Sequence, residues 1–262
     1  MSTVNKGFPK RTFVMGDIHG AYKALEQCLE RSSFDKDKDT LIQLGDVADG
    51  FEHVYDCVEE LLKIRNLISI KGNHDEWLNQ FILTGCHPMD WVQGGAGSAL
   101  SYVRQIGRKK KKLLGVWDGV QIALNPDIVP ESHRQFFQRQ QLYFIDEFNN
   151  CFVHGGFDRH KEFKGQIAEV YYWDRELWLE ALADSDSERY RGGKGKFRMV
   201  TEFNNIFIGH TSTMNWKTDK PMKAANIYNL DTGAGCAGRL TIMDIKSKKF
   251  WQSDPVRELY CR

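Results

Sequence analysis

Three short apolar runs each end in a glycine followed at once by groups that bind cations. This repeat constrains the fold more than any other feature of the chain. Phe13-Val14-Met15 leads into Gly16-Asp17-Ile18-His19-Gly20, and Leu41-Ile42-Gln43-Leu44 leads into Gly45-Asp46-Val47-Ala48-Asp49. Leu67-Ile68-Ser69-Ile70 leads into Gly72-Asn73-His74-Asp75. Asp17 and Asp46 are 29 residues apart, and Asp46 and Asn73 are 27 apart. Each interval has room for a helix and a returning strand, which predicts right-handed crossovers and a parallel sheet. Ligands of such sheets gather outside the carboxyl ends of the strands. Asp17, His19, Asp46, Asn73 and His74 then share one edge, a set of carboxylates, an amide oxygen and imidazoles suited to a metal.

The segments between the tips fit that order. Tyr22, Leu25, Cys28 and Leu29 have helical spacing within 21–31, as do Val54, Val58, Leu61, Leu62 and Ile64 within 52–64. Residues 75–84 and 130–140 read as further helices, the latter with Pro130 near its first turn. The stretch 86–141 is predicted as a helical insertion or cap, with Gly94-Gly95-Ala96-Gly97 as a hinge or turn. Strand character returns at 142–145 and 151–153, a predicted hairpin ending in His154-Gly155-Gly156. Residues 166–183 are helix-compatible and aromatic-rich, and 184–198 read as a loop. Asn205–Ile208 runs into Gly209-His210, and 225–230, 239–245 and 249–252 are strands joined by a glycine-rich turn at 231–238.

At 262 residues the chain has ample length for a core, and 41% hydrophobic with 27% charged residues is ordinary for a soluble protein. A net charge of +1 excludes a global pull toward nucleic acid or membrane. No apolar run approaches the ~20 residues that span a bilayer, and the N-terminus lacks a signal-peptide pattern. The six cysteines have no zinc-like spacing and read as reduced thiols. The expected location is the cytoplasm.

Five strand tips therefore end in glycine beside metal-competent groups: Asp17/His19, Asp46, Asn73/His74, His154 and His210. Their order and spacing over residues 11–211 resemble the metallophosphoesterase superfamily, within it the phosphoprotein phosphatase branch, with its GDxHG, GDxxDRG, GNH[DE], HGG and GH motifs. Trp173-Asp174-Arg175-Glu176 is similar to the W-x-R-E of bacterial and phage members, including the phage lambda phosphatase and the diadenosine tetraphosphate hydrolases.

The resemblance implies an α/β fold, a two-layer β-sandwich of mixed sheets flanked by helices, as a single domain over 1–262 with the cap at about 86–141. The parallel strands of 11–71 are expected in the first sheet, and the C-terminal strands 205–252 in much of the second. It implies a first metal on Asp17 and His19, Asp46 bridging, and Asn73, His154 and His210 on the second. The oxygen and nitrogen donors suit two divalent ions, Mn²⁺ first, with Fe or Zn as alternatives. Two ions ~3.5–4 Å apart bind a phosphoryl oxygen and acidify a bridging water that attacks in line.

By the same resemblance His74 protonates the leaving alkoxide, and Asp49 orients its imidazole. Asp49 also reads as a helix N-cap for 51–64. Arg175, with Asn73, is the candidate phosphate contact, its alternative being a surface arginine. One departure stands out: Gly50 occupies the position after Asp49 where the family has an arginine. Arg175, Arg104 or the 189–198 stretch are the candidates to replace that charge. The expected substrate is a phosphoserine or phosphothreonine protein or a small phosphate ester. Dinucleoside polyphosphates or nucleic-acid ends are the alternative, and an inactive metal-binding scaffold is the reading from another class. Arg108–Lys112 reads as a solvated turn or a polyanion contact, and the aromatics of 171–178 as core, with a base-stacking platform as the alternative.

Overall fold

The structure, a computed structural model, describes residues 11–86, 88, 91, 94–106, 116–117, 120–121, 125–190 and 201–260. The basic run 108–112 and most of the 189–198 stretch lie outside the described residues.

The strands in chain order are β1 (Thr12–Met15), β2 (Thr40–Gln43), β3 (Asn66–Ser69), β4 (Val116–Trp117), β5 (Val120–Gln121), β6 (Tyr143–Ile145) and β7 (Asn150–Val153). β8 (Asn205–Ile208), β9 (Met222–Ala224), β10 (Ile227–Asn229), β11 (Thr241–Asp244) and β12 (Phe250–Gln252) follow. The helices are α1 (Tyr22–Arg31), α2 (Val54–Leu61), α3 (Asn73–Thr84), α4 (Gly95–Ile106), α5 (Glu131–Arg139), α6 (Ala168–Trp173), α7 (Glu176–Tyr190) and α8 (Val256–Leu259).

Two five-stranded mixed sheets face each other, ordered β12-β11-β1-β2-β3 and β6-β7-β8-β10-β9, while β4 and β5 form a separate hairpin. β1, β2 and β3 run parallel, as do β7, β8 and β10. The period of two along each strand explains the continuous apolar runs. Phe13, Met15 and Leu41 face the helical layer, whereas Val14 and Ile42 face the opposite sheet. In the second sheet Cys151, Val153, Ile206 and Ile208 pack under α6 and α7, and Phe152 and Phe207 enter the space between the sheets. There Phe144, Phe152, Phe207 and Tyr228 form a ladder of rings, with Phe152 and Phe207 stacked at 4.9 Å.

Three expectations are corrected. β8, β9 and β10 do supply much of the second sheet, but β11 joins the first, antiparallel beside β1, with β12 antiparallel beside β11. Their alternate residues explain this: Ile242 packs with the helical layer of the first sheet and Met243 enters the inter-sheet core. The helix expected over 166–183 is two helices, broken where Asp174 adopts an extended backbone and its Oδ1 accepts from Leu177 N at 3.1 Å. The loop expected over 184–198 is helical as far as Tyr190, where α7 ends, and its remainder lies outside the described residues.

α4 and α5 pack onto α2 and α3. His133 of α5 is fully buried there, its Nε2 2.8 Å from Glu59 Oε1 and its Nδ1 3.0 Å from the Tyr102 hydroxyl. Burial outweighs Glu59 and lowers the His133 pKa from 6.5. Between the folded and unfolded values the unfolded chain binds more protons, so this contribution to stability is present above pH 6.5 and lost as pH falls below it. The melting temperature is expected to drop across that window, and less steeply in His133→Gln. Equal slopes would remove His133 as the cause.

Five cysteines among the described residues are free thiols, with Cys28, Cys57 and Cys151 buried. Among the described residues no helix is long and apolar enough to cross a membrane.

Candidate metal centre

The polar tips meet where the two sheets' parallel strands end. Loops leaving β1 and β2 supply Asp17, His19 and Asp46, the first turn of α3 after β3 supplies Asn73 and His74, and loops leaving β7 and β8 supply His154 and His210. Backbone contacts lock the loops together: Ile18 N and His19 N both donate to Asp46 O, at 3.0 and 2.9 Å. His74 N donates to Asp46 Oδ1 at 3.0 Å, and His210 N to Asp17 Oδ2 at 3.0 Å. His19, Asp46, Asp49 and His210 hold left-handed backbones, with φ of 49°, 56°, 69° and 63°. Such conformations cost about 1–3 kcal/mol each at a non-glycine residue and persist where surrounding structure enforces them.

Two sets of donor atoms converge within 4.8 Å: His19, Asp46 and His74, and Asp46, His154 and His210. Asp46 is common to both, the position expected of a bridge. Asn73 Oδ1 lies 3.2 Å from His154 Nε2. Asp17 stands outside both triplets, one oxygen tied to His210 N. His74 enters the first triplet, although the sequence reading assigns it to proton transfer.

The donor set fits a cation. Asp17 Oδ1 and His210 Nε2 are buried and find no hydrogen-bond partner among the described residues. His154 Nδ1 lies 2.7 Å from Leu44 O and must donate there, so its Nε2 faces two acceptors, Asn73 Oδ1 and Asp46 Oδ2 at 3.3 Å. Against burial, the Asp46 carboxylate raises the His154 pKa from 6.5, which favours a proton on that nitrogen. His19 repeats this arrangement, with Nδ1 on Ala48 O at 3.1 Å and Nε2 3.6 Å from Asp46 Oδ2. Acceptors that face one another require a proton or a metal ion between them. A backbone carbonyl on the far nitrogen is the usual way to orient a metal-binding histidine.

The charges follow from burial. Burial, helped by His154 and Arg175, pushes the His210 pKa down to about 2, and burial likewise lowers His19, so both rings are neutral lone-pair donors. Burial would raise Asp46, but His154, His74 and His19 hold it well below the usual carboxylate range. Burial raises Asp17, and the nearby Asp231 and Asp46 carboxylates add to it. Burial works against charge on His74 too, yet Asp46 and Asp49 carry its pKa up to about 9.

Asp49 does not cap α2, whose N-cap is His53. Its fully buried carboxylate instead lies 2.7 Å from His74 Nδ1 and accepts from Trp91 Nε1 at 2.9 and 3.0 Å and Ser98 Oγ at 2.7 Å. Gly94-Gly95-Ala96-Gly97, the expected hinge, closes on this loop: a Cβ on Gly97 would overlap the Gly50 carbonyl. At Gly50 itself φ is +73°, and a Cβ would stand 2.8 Å from His19 O and 2.9 Å from His19 Cβ. The site thus has no room for an arginine at position 50.

Of the expected replacements, Arg175 is at the rim, its Nη1 donating to His210 O at 3.0 Å and Thr211 Oγ1 at 2.9 Å. Arg104 is exposed and pairs with Glu52. Trp173 corrects the assignment of 171–178 to the core. Tyr171, Tyr172 and Trp178 are buried, but Trp173 is 41% exposed because α6 ends at it. Its ring stands edge-on to His210 at 5.6 Å and to Trp77 at 5.4 Å, and Trp77 meets His74 at 4.8 Å.

Sequence reading missed two carboxylates. Asp75 accepts from Val47 N and Ala48 N, both at 2.9 Å, and from Gln140 Nε2 at 2.8 Å, so it clamps the Asp46–Asp49 loop to α3. Asp231 follows β10 and lines a cavity of about 340 Å³ with His19, His74, Ser212 and Cys236. Its signal was weaker: the strand expected over 225–230 runs directly into Asp231, with a glycine two residues further on at Gly233.

The calcineurin-like phosphoesterase family model matches residues 10–214. A symmetrical bis(5'-nucleosyl)-tetraphosphatase of Coxiella burnetii is 31% identical, covering 94% of each chain. Serine/threonine-protein phosphatase 1 of Salmonella typhimurium is 23% identical, covering 90% of this chain and 93% of its own. Among solved structures, one assigned as a diadenosine tetraphosphatase superposes with a TM-score of 0.58 at 17% identity, covering 95% of each chain, which speaks to the fold. The chain belongs to the calcineurin-like phosphoesterases and is a metal-dependent hydrolase.

Proposed function

We propose that the chain cleaves phosphate monoesters by direct attack of water, with serine/threonine phosphoproteins and small phosphate esters as its substrate class. The observation that carries this reading is the His74–Asp49 pair, 2.7 Å apart beside the convergent donors of Asp46. Asp17, His19, Asp46, Asn73, His154 and His210 would hold two divalent ions, Mn²⁺ first. Bound there, such ions supply Lewis acidity toward phosphoryl oxygens and lower the pKa of water.

The protein groups do the rest. Asp49 occupies His74 Nδ1, which leaves Nε2 as the face that gives a proton to the leaving oxygen. Asp49, by its hydrogen bond and its charge, favours the protonated ring. Trp91 and Ser98 fix Asp49, so the imidazole keeps its orientation without solvent reorganisation. Arg175 has one nitrogen anchored on His210 and Thr211 and offers its remaining donors to phosphate oxygens.

Hydrolysis of dinucleoside polyphosphates is the second reading. The 31% identity to a tetraphosphatase favours it, as does the absence of a side chain at Gly50. An internal phosphate of such a chain carries less negative charge than a terminal monoester phosphate, so holding it draws less on an arginine at that position.

Metal-stripped protein reloaded with Mn²⁺ is expected to release phosphate from one or more members of a panel. The panel comprises p-nitrophenyl phosphate, a phosphothreonine peptide, a 3′-phosphorylated oligonucleotide and, with a coupling phosphatase, diadenosine tetraphosphate. The preferred member ranks the two readings. No turnover with Mn²⁺, Fe²⁺, Zn²⁺ or Ni²⁺, despite two bound ions, would leave only a metal-binding scaffold.

A further inference from the structure

We propose that Trp173 is a stacking platform for a nucleobase tethered to the substrate's phosphate chain, and so a specificity-determining residue. The proposal rests on the reading of the centre as a phosphate-hydrolysing site. Rings follow one another around that centre: His19, His74, Trp77, Trp173, His210 and His154, with successive centroids 4.9, 4.8, 5.4, 5.6 and 5.1 Å apart. Five of the six are buried or mostly covered, and of these rings Trp173 alone is exposed. The indole packs edge-on against Trp77 and His210 and leaves 41% of the residue open to solvent beside the donor cluster, whereas Tyr171, Tyr172 and Trp178 of the same segment are buried.

Its position defines what it takes. The break between α6 and α7 presents Trp173 and Arg175 together, and Arg175 is tied to the backbone of His210. An aromatic face and a planar cation beside a phosphate-binding centre match a nucleotide, whose base is always tethered to its phosphates. A phosphopeptide places an aromatic group there only when a neighbouring residue happens to be one. Stacking is tolerant of base identity, because every base has a π-face. The platform therefore selects nucleotides over base-free esters without choosing among nucleotides.

The test reads binding separately from turnover. Dissociation constants of ADP and of base-free pyrophosphate are measured by calorimetry on the Mn²⁺-loaded protein, Trp173→Ala and Trp173→Phe. Trp173→Ala is expected to raise the ADP constant, relative to that of pyrophosphate, by roughly fivefold to a hundredfold. Trp173→Phe is expected to recover most of it. Equal weakening of both ligands, or a Phe variant no better than Ala, overturns the platform. So does a phosphothreonine peptide whose KM rises more in Trp173→Ala than the ADP constant does. Robust hydrolysis of the substrate panel with a flat ADP ratio sinks this inference alone. A shifted ratio in a protein that hydrolyses nothing upholds the stacking contact and sinks the hydrolase reading.

Discussion

His74→Asn is expected to lower kcat on a phosphothreonine peptide by about 10²–10⁴, the usual contribution of a positioned acid, while both metal ions stay bound. The side chain can be removed cleanly because the contact that ties this residue to Asp46 is made by its backbone N–H. The leaving group provides the internal control. An alkoxide needs a proton as it departs, whereas p-nitrophenolate scarcely does, so the loss on p-nitrophenyl phosphate is expected to be much smaller. Asp49→Asn is expected to fall between the variant and the wild type. It keeps the shape of the pair but turns an amide N–H toward the donors Trp91, Ser98 or His74. If both substrates slow by the same factor, or if the ions are lost, His74 acts as a metal ligand. Its presence in the His19–Asp46 triplet makes that a real alternative. An inactive scaffold would register none of these changes.

The metal-competent residues of the site were legible because they sit at the ends of apolar runs with a glycine close by, a pattern that survives without knowledge of pairing. β1, β2 and β3 were equally clear, since a strand buried on both faces is apolar throughout. What could not be read was which sheet a strand joins. β11 has alternate residues in two cores, and its own sequence does not say which neighbours will complete them. Nor could the sequence separate Trp173 from Tyr171 and Tyr172, because a helix-compatible run does not announce its break at Asp174. The environment of Asp49 was also out of reach. Trp91 and Ser98, 42 and 49 residues away, come from the connection after α3 and from α4, both within the stretch read from sequence as a helical insertion or cap. Contacts made at such separations carry no local pattern.

The glycines that precede the ligands make a second prediction of comparable size. A Cβ on Gly72 would overlap both Asp46 Oδ1 and Asp46 N, although the Gly72 backbone, with φ of −94° and ψ of 168°, is one that alanine adopts readily. The cost of Gly72→Ala is therefore steric and falls on Asp46, the residue shared by both donor triplets. Asp46 has little freedom to retreat, because its carbonyl holds Ile18 N and His19 N and its own φ is already +56°. Gly72→Ala is expected to lose about 1–3 kcal/mol of stability, as overpacked sites do. Metal affinity is expected to weaken by about 10–100-fold, as when the support of a ligand is disturbed. Gly165→Ala separates this from backbone strain: φ there is +90° and nothing lies within 4 Å of the added methyl. That variant should lose about 1–2 kcal/mol from its left-handed backbone and bind metal as the wild type does. Unchanged metal affinity in Gly72→Ala, measured by calorimetry with Mn²⁺, would mean that Asp46 does not hold the ions.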